Sequence, residues 1–77
     1  MSGIRLSLYE TADWGARIAG EAHARHDADG TLLLDEVRVE AVRHSGHFSV
    51  LSCADGSTKV VLTSFLRLVP DPRRSAQ

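Results

Sequence analysis

Residues 13–26 read Asp13-Trp14-Gly15-Ala16-Arg17-Ile18-Ala19-Gly20-Glu21-Ala22-His23-Ala24-Arg25-His26, and the period assigned to them decides the fold. Even positions carry Trp14, Ala16, Ile18, Gly20, Ala22 and Ala24, while odd positions carry most of the polar residues. An alternation of two is the mark of a half-buried strand, whose successive side chains point to opposite faces. A helix over about 11–25 is the rival: Ala12, Ala16, Ala19 and His23 form a stripe, and alanine favours helix. Gly15 and Gly20 would each cost that helix about 1 kcal/mol relative to alanine, so the strand is preferred. The alternative architecture is α+β, with this helix packed on a four-stranded antiparallel sheet.

Three turn signals follow, and loop length fixes which residues of a hairpin face each other. Asp27-Ala28-Asp29-Gly30, taken as a four-residue loop, sets His26 against Thr31, Ala24 against Leu33, Gly20 against Val37 and Ile18 against Val39. Arg17 then faces Glu40, an opposite-charge cross-strand pair. Ser45-Gly46 as a two-residue turn sets His44 against His47 and Ala41 against Val50. Asp55-Gly56 as a type I′ turn sets Val50 against Val61. One face gathers Trp14, Ala16, Ile18, Val37, Val39, Ala41, Phe48, Val50 and Val61, which is the expected core.

The other face carries Val42, Leu51, Val60 and Leu62, with Cys53 nearby. Ile4, Leu6 and Leu8 in a first strand, and Leu66, Leu68 and Val69 in a last short strand after a tight turn at Thr63-Ser64-Phe65, are placed to cover it. Where that cover is partial, the apolar strip Val42, Leu51, Val60 and Leu62 is an expected protein-interaction surface. A sheet whose end strands fold back over it closes into a small barrel and removes exposed edges. The fold expected is therefore mainly β, an antiparallel meander closing into a barrel of about five to six strands. Its layout over residues 3–69 resembles SH3-like small barrels. Residues 1–69 are expected to form the single domain, and 70–77, with Pro70, Pro72, Arg73 and Arg74, a mobile tail.

A chain of 77 residues buries only ~60% of its unfolded surface, which makes self-association a natural supplement to stability. Net charge is −1, from nine Lys and Arg against ten Asp and Glu, so nothing demands a polyanionic partner. The single cysteine, Cys53, has no intramolecular disulfide partner and reads as a small packing residue. The first residues lack the apolar stretch of a signal peptide or membrane helix, so a cytoplasmic setting without membrane contact is expected.

Two His-x-x-His pairs, His23/His26 and His44/His47, invite a metal reading. A single strand from Thr31 to His44 would span roughly 40 Å at ~3.3 Å per residue, which puts the pairs at opposite ends. His44, His47 and Asp13 form the candidate transition-metal cluster, two imidazoles and a carboxylate on adjacent strands. Against it stands the simpler reading, solvated residues at a loop end, and no metal or other cofactor is expected. No Gly-x-Ser-x-Gly, no nucleophile with a positioned base and no glycine-rich phosphate loop occur, so neither an enzyme nor a small-molecule substrate is expected.

A nucleic-acid surface would need a basic stripe with exposed aromatics. Arg17 and Arg38 share a face with Glu21, Glu36 and Glu40, which cancels their field, while Arg43, Arg67, Arg73 and Arg74 offer a modest patch. The function expected is a small non-catalytic regulatory or adaptor module acting through a protein partner or self-association. An RNA- or DNA-binding barrel is the first alternative and a transition-metal-binding protein the second. The run from Gly46-His47-Phe48 through Asp55-Gly56 to Val61-Leu62-Thr63-Ser64-Phe65 resembles bacterial Rho-binding antiterminators, small barrels of similar length that inhibit a termination factor. The resemblance covers less than a third of the chain, implies a transcription regulator, and places a helix where residues 13–26 alternate.

Overall fold

The computed structural model describes residues 3–71. Six antiparallel strands pair each with the next: β1 (Ile4–Tyr9), β2 (Ile18–His26), β3 (Leu32–Leu34), β4 (Val37–Ser45), β5 (Phe48–Cys53) and β6 (Thr58–Leu62). Tyr9 of β1 pairs with Val60 of β6 and closes the sheet into a ring. A single helical turn, α1 (Thr63–Leu66), follows β6. The chain is mainly β, and residues 11–25 form no helix.

Alternation prevails over alanine propensity from Ile18 onward, because the inward residues of β2, Ala22 and Ala24, are buried at 1% and 0% exposure. Upstream, the strand expected from Asp13 is a turn instead. Ala16 N–H donates to the Asp13 carbonyl at 3.0 Å, and Glu10 N–H donates to the Arg17 carbonyl at 3.0 Å. β2 thus stands where Rho-binding antiterminators carry a helix.

All three expected registers shift, the first and third by one residue and the second by two, each for a local reason. At the first hairpin, Gly30 N–H donates to the Asp27 carbonyl and Asp27 N–H to the Thr31 carbonyl, so the loop has three residues and His26 faces Leu32. The third hairpin repeats this arrangement: Gly56 N–H donates to the Cys53 carbonyl, Cys53 N–H to the Ser57 carbonyl, and Val50 faces Val60. Gly30 (φ 84°) and Gly56 (φ 89°) occupy the left-handed position that closes such a three-residue loop. In the second hairpin the turn is Gly46-His47, and Ser45 faces Phe48.

The largest departure is a hairpin with no glycine. The strand expected to run from Thr31 to His44 is cut at Asp35-Glu36, both with positive φ (49° and 66°), and Leu34 faces Val37 across the turn. Two side chains hold this strained pair against β2. Asp35 Oδ1 accepts the His23 N–H at 2.9 Å while Asp35 N–H donates to the His23 carbonyl at 2.8 Å. Glu36 accepts two hydrogen bonds from Arg25, Nε to Oε2 at 2.7 Å and Nη2 to Oε1 at 2.6 Å. These bonds hold the Glu36 carboxyl below the usual carboxylate range and raise the Arg25 guanidinium above its ordinary value.

A one-residue slip moves every side chain of a strand to the other face. The core is therefore Leu6, Ala22, Ala24, Leu34, Leu51, Cys53, Val61 and Val69, with Ile4, Leu8, Leu32, Val37, Val39 and Leu66 packed against it. Val37, Val39 and Val61 lie as expected and Cys53 packs as a small apolar residue. Trp14, at 79% exposure, and Ile18, at 63%, do not belong to the core, and Ala41 is exposed. The expected last strand is replaced by α1 and a further turn, in which Val69 N–H donates to the Leu66 carbonyl at 3.2 Å and the Val69 side chain plugs the ring. His26 Nδ1 donates to the Pro70 carbonyl at 3.0 Å, so the tail expected from residue 70 is docked at its start. The remainder, 72–77, lies outside the described residues.

Candidate functional site

The outer face of the ring carries a second apolar group where the β1–β6 seam meets two loops. Cross-strand partners share a face, so Phe48 with Leu62, and Tyr9 with Val60 and Val50, line up outside the core. Tyr9 and Phe48 meet edge to face, ring centroids 5.4 Å apart and planes at 72°. Trp14 completes the group from the β1–β2 loop: its ring centroid lies 6.3 Å from Phe48 and 4.9 Å from His47.

Each partner is brought there by local chemistry. The Asp13–Ala16 turn lifts Trp14 out of the loop, and the Gly46-His47 turn swings the imidazole over to meet it. Beneath them Phe48, at 4% exposure, is the floor. Trp14 is thus held on two ring contacts while 79% of its surface faces water, with Ile18 exposed next to Tyr9 across the β1–β2 pair. An indole is costly to leave in water, and Trp and Tyr dominate the anchoring residues of protein interfaces. Glu10, Asp13 and Arg17 in the same loop give it a slight negative balance, which does not favour phosphate.

The expected strip separates. Leu51 is wholly buried, Val60 is 9% exposed beneath Tyr9, Leu62 is half-buried beside Phe48, and Val42, at 44%, is the most exposed of the four. The slips explain this: Leu51 faces the core, whereas Val60 and Leu62 face out.

The histidines also part. With Ser45 opposite Phe48, His44 faces Ser49 rather than His47, and its Nδ1 shares a hydrogen bond of 2.9 Å with Ser49 Oγ. His47 lies on Trp14. Asp13, His44 and His47 are not gathered into a metal-binding group, and no such group of three His, Cys, Asp or Glu occurs among the described residues. Comparison with protein-family models, curated proteins and solved structures finds no match.

The platform was hidden from sequence reasoning by the same alternation that revealed β2. Trp14 falls on the apolar phase of 13–26, and only the end of the strand at Ile18 frees it to point outward. Among the described residues no helix is long and apolar enough to cross a membrane.

Proposed function

We propose that this chain is a small non-catalytic adaptor or regulatory module, built as an SH3-like barrel, that binds a protein partner through the platform of Tyr9, Trp14, His47 and Phe48. The observation that carries this reading is Trp14: an indole fixed by two aromatic neighbours yet 79% exposed is a pre-organised anchor. Six antiparallel strands in a ring, with one helical turn after β6, support the barrel reading. The non-catalytic reading is supported by Ser49, whose hydroxyl is held by His44 Nδ1 at 2.9 Å and Thr63 Oγ1 at 2.6 Å and is fully buried, so it is not placed to act as a nucleophile.

The test is affinity capture from the source cells with the wild-type chain and Trp14→Ala side by side, before and after nuclease treatment. Proteins retained by the wild type, lost with Trp14→Ala and indifferent to nuclease are the expected result. Capture that disappears on nuclease treatment would move the assignment to nucleic acid, and capture unchanged by Trp14→Ala would remove the platform from it.

A further inference from the structure

β4 has nine residues and β3 only three. The two pair at Leu33 with Arg38 and at Leu34 with Val37, so the second edge of β4 has no described strand beside it from Val39 to Ser45. The space that a longer β3 would fill is a cleft of ≈ 730 Å³. Its walls are the β2–β3 hairpin, at His26, Thr31 and Leu32, and the segment after β6, at Leu66, Arg67 and Val69.

The floor of this cleft is a row of backbone groups. Ser45 and Phe48 close a two-residue turn and so exchange both of their backbone hydrogen bonds. Alternation along the ladder then aims the N–H and C=O of Arg43 at β5, and those of Val42 and His44 into the cleft. An unpaired strand edge is a template for another strand. The bulge at Glu40 ends the regular stretch, which leaves Ala41–Ser45 as the usable edge.

We propose that this cleft binds an extended segment of a partner protein, which adds as a strand antiparallel to β4 along Ala41–Ser45 and completes the line that β3 begins. The occupant is defined by what the cleft lacks. Among the described residues it lacks a strand, which an extended peptide supplies with a width of about 4.8 Å. A second copy of this chain would bring its own hairpin and its own 66–71 segment against the same walls. Val42, Leu66 and Val69 offer contact for one aliphatic side chain of the peptide. Of the charged residues that line the cleft, Arg38 is engaged by Glu40 at 3.3 Å and Asp71 has an interaction of its own, whereas Arg67 has no ion pair among the described residues, so a carboxylate on the peptide is the charge that matches Arg67. The cleft shares no residue with the Trp14 platform.

The probe is an end-blocked fluorescent peptide of alternating valine and threonine with one central glutamate, added to the full chain. Three changes are compared: backbone N-methylation of the peptide, lysine in place of its glutamate, and the protein variants Val42→Pro and Arg67→Glu. Binding should weaken at least about tenfold on N-methylation and in Val42→Pro, which removes one cleft-facing donor. Arg67→Glu should reverse the preference for glutamate over lysine. Should Val42→Pro fail to fold, the exchange rates of the Val42 and His44 amides decide: they slow in the wild type when the peptide binds. Trp14→Ala should leave all of this unchanged, which separates this site from the platform. No binding up to about 1 mM, equal binding of the N-methylated peptide, or a dimer of the chain alone that Val42→Pro dissociates would each overturn the proposal.

Discussion

The indole of Trp14 rests on the imidazole of His47, ring centroids 4.9 Å apart and planes tilted by 53°. The contact joins the β1–β2 loop to the β4–β5 turn over Phe48, and it gives an exposed residue a fixed orientation without burying it. Stability and binding therefore separate on this platform. Trp14→Ala should cost about 0.5–1.5 kcal/mol, the worth of aromatic pairing at a surface. Phe48→Ala, at the buried floor, should cost about 3–5 kcal/mol. Urea denaturation of both variants reads the contrast, and equal losses would mean that the two rings are equally structural.

The two neighbours Val42 and Leu51, paired across β4 and β5, should differ just as sharply. Leu51 is wholly enclosed, so Leu51→Ala should destabilise by about 2–5 kcal/mol. Val42→Thr, at an exposed edge, should change stability by no more than about 0.5 kcal/mol. The same denaturation curves measure both.

The Asp35-Glu36 turn is the feature least visible in the chain. Alternation in 18–26, the hairpin at Asp55-Gly56 and the mainly-β class are all legible, because glycine and period two announce them. Asp35-Glu36 announces nothing: its left-handed geometry is sustained by His23 and Arg25, residues of another strand. Once that hairpin is missed, Thr31 to His44 becomes one strand, and the one-residue loop errors at Gly30 and Gly56 then exchange inner and outer faces. That is why Leu51 read as surface, whereas Trp14 read as core because the alternation runs on upstream of Ile18, where the strand ends. Asp35→Ala removes the bond to the His23 N–H while leaving a β-carbon in the left-handed region, and should cost about 1–3 kcal/mol. Asp35→Asn, which keeps an acceptor and suits that region, should retain most of the stability by thermal unfolding.

Acid should loosen the third hairpin. Ser57 donates to Asp55 Oδ1 from both its hydroxyl, at 2.6 Å, and its N–H, at 2.9 Å, and these bonds hold the Asp55 carboxyl below its ordinary value. A carboxylate whose folded value is depressed contributes stability that is fully present above its unfolded value and is lost as pH falls through the folded one. The Glu36 carboxyl, lowered by Arg25, acts in the same direction. Ser57→Ala should move the Asp55 titration, followed by carboxyl NMR, up toward the ordinary aspartate range and flatten the acid limb of stability. An unmoved Asp55 titration would break the assigned cause.

A protein partner seated on the Trp14 platform is caught by site-specific photo-crosslinking. Benzoylphenylalanine placed at Ile18, exposed beside Tyr9 and leaving Trp14 intact, is compared in the source cells with the same group at Ala54, exposed on the β5–β6 loop and part of neither site. A discrete protein adduct is expected from position 18, absent from position 54 and lost when Trp14→Ala is added. Equal adducts from both positions, or an adduct from position 18 that survives Trp14→Ala, would contradict it.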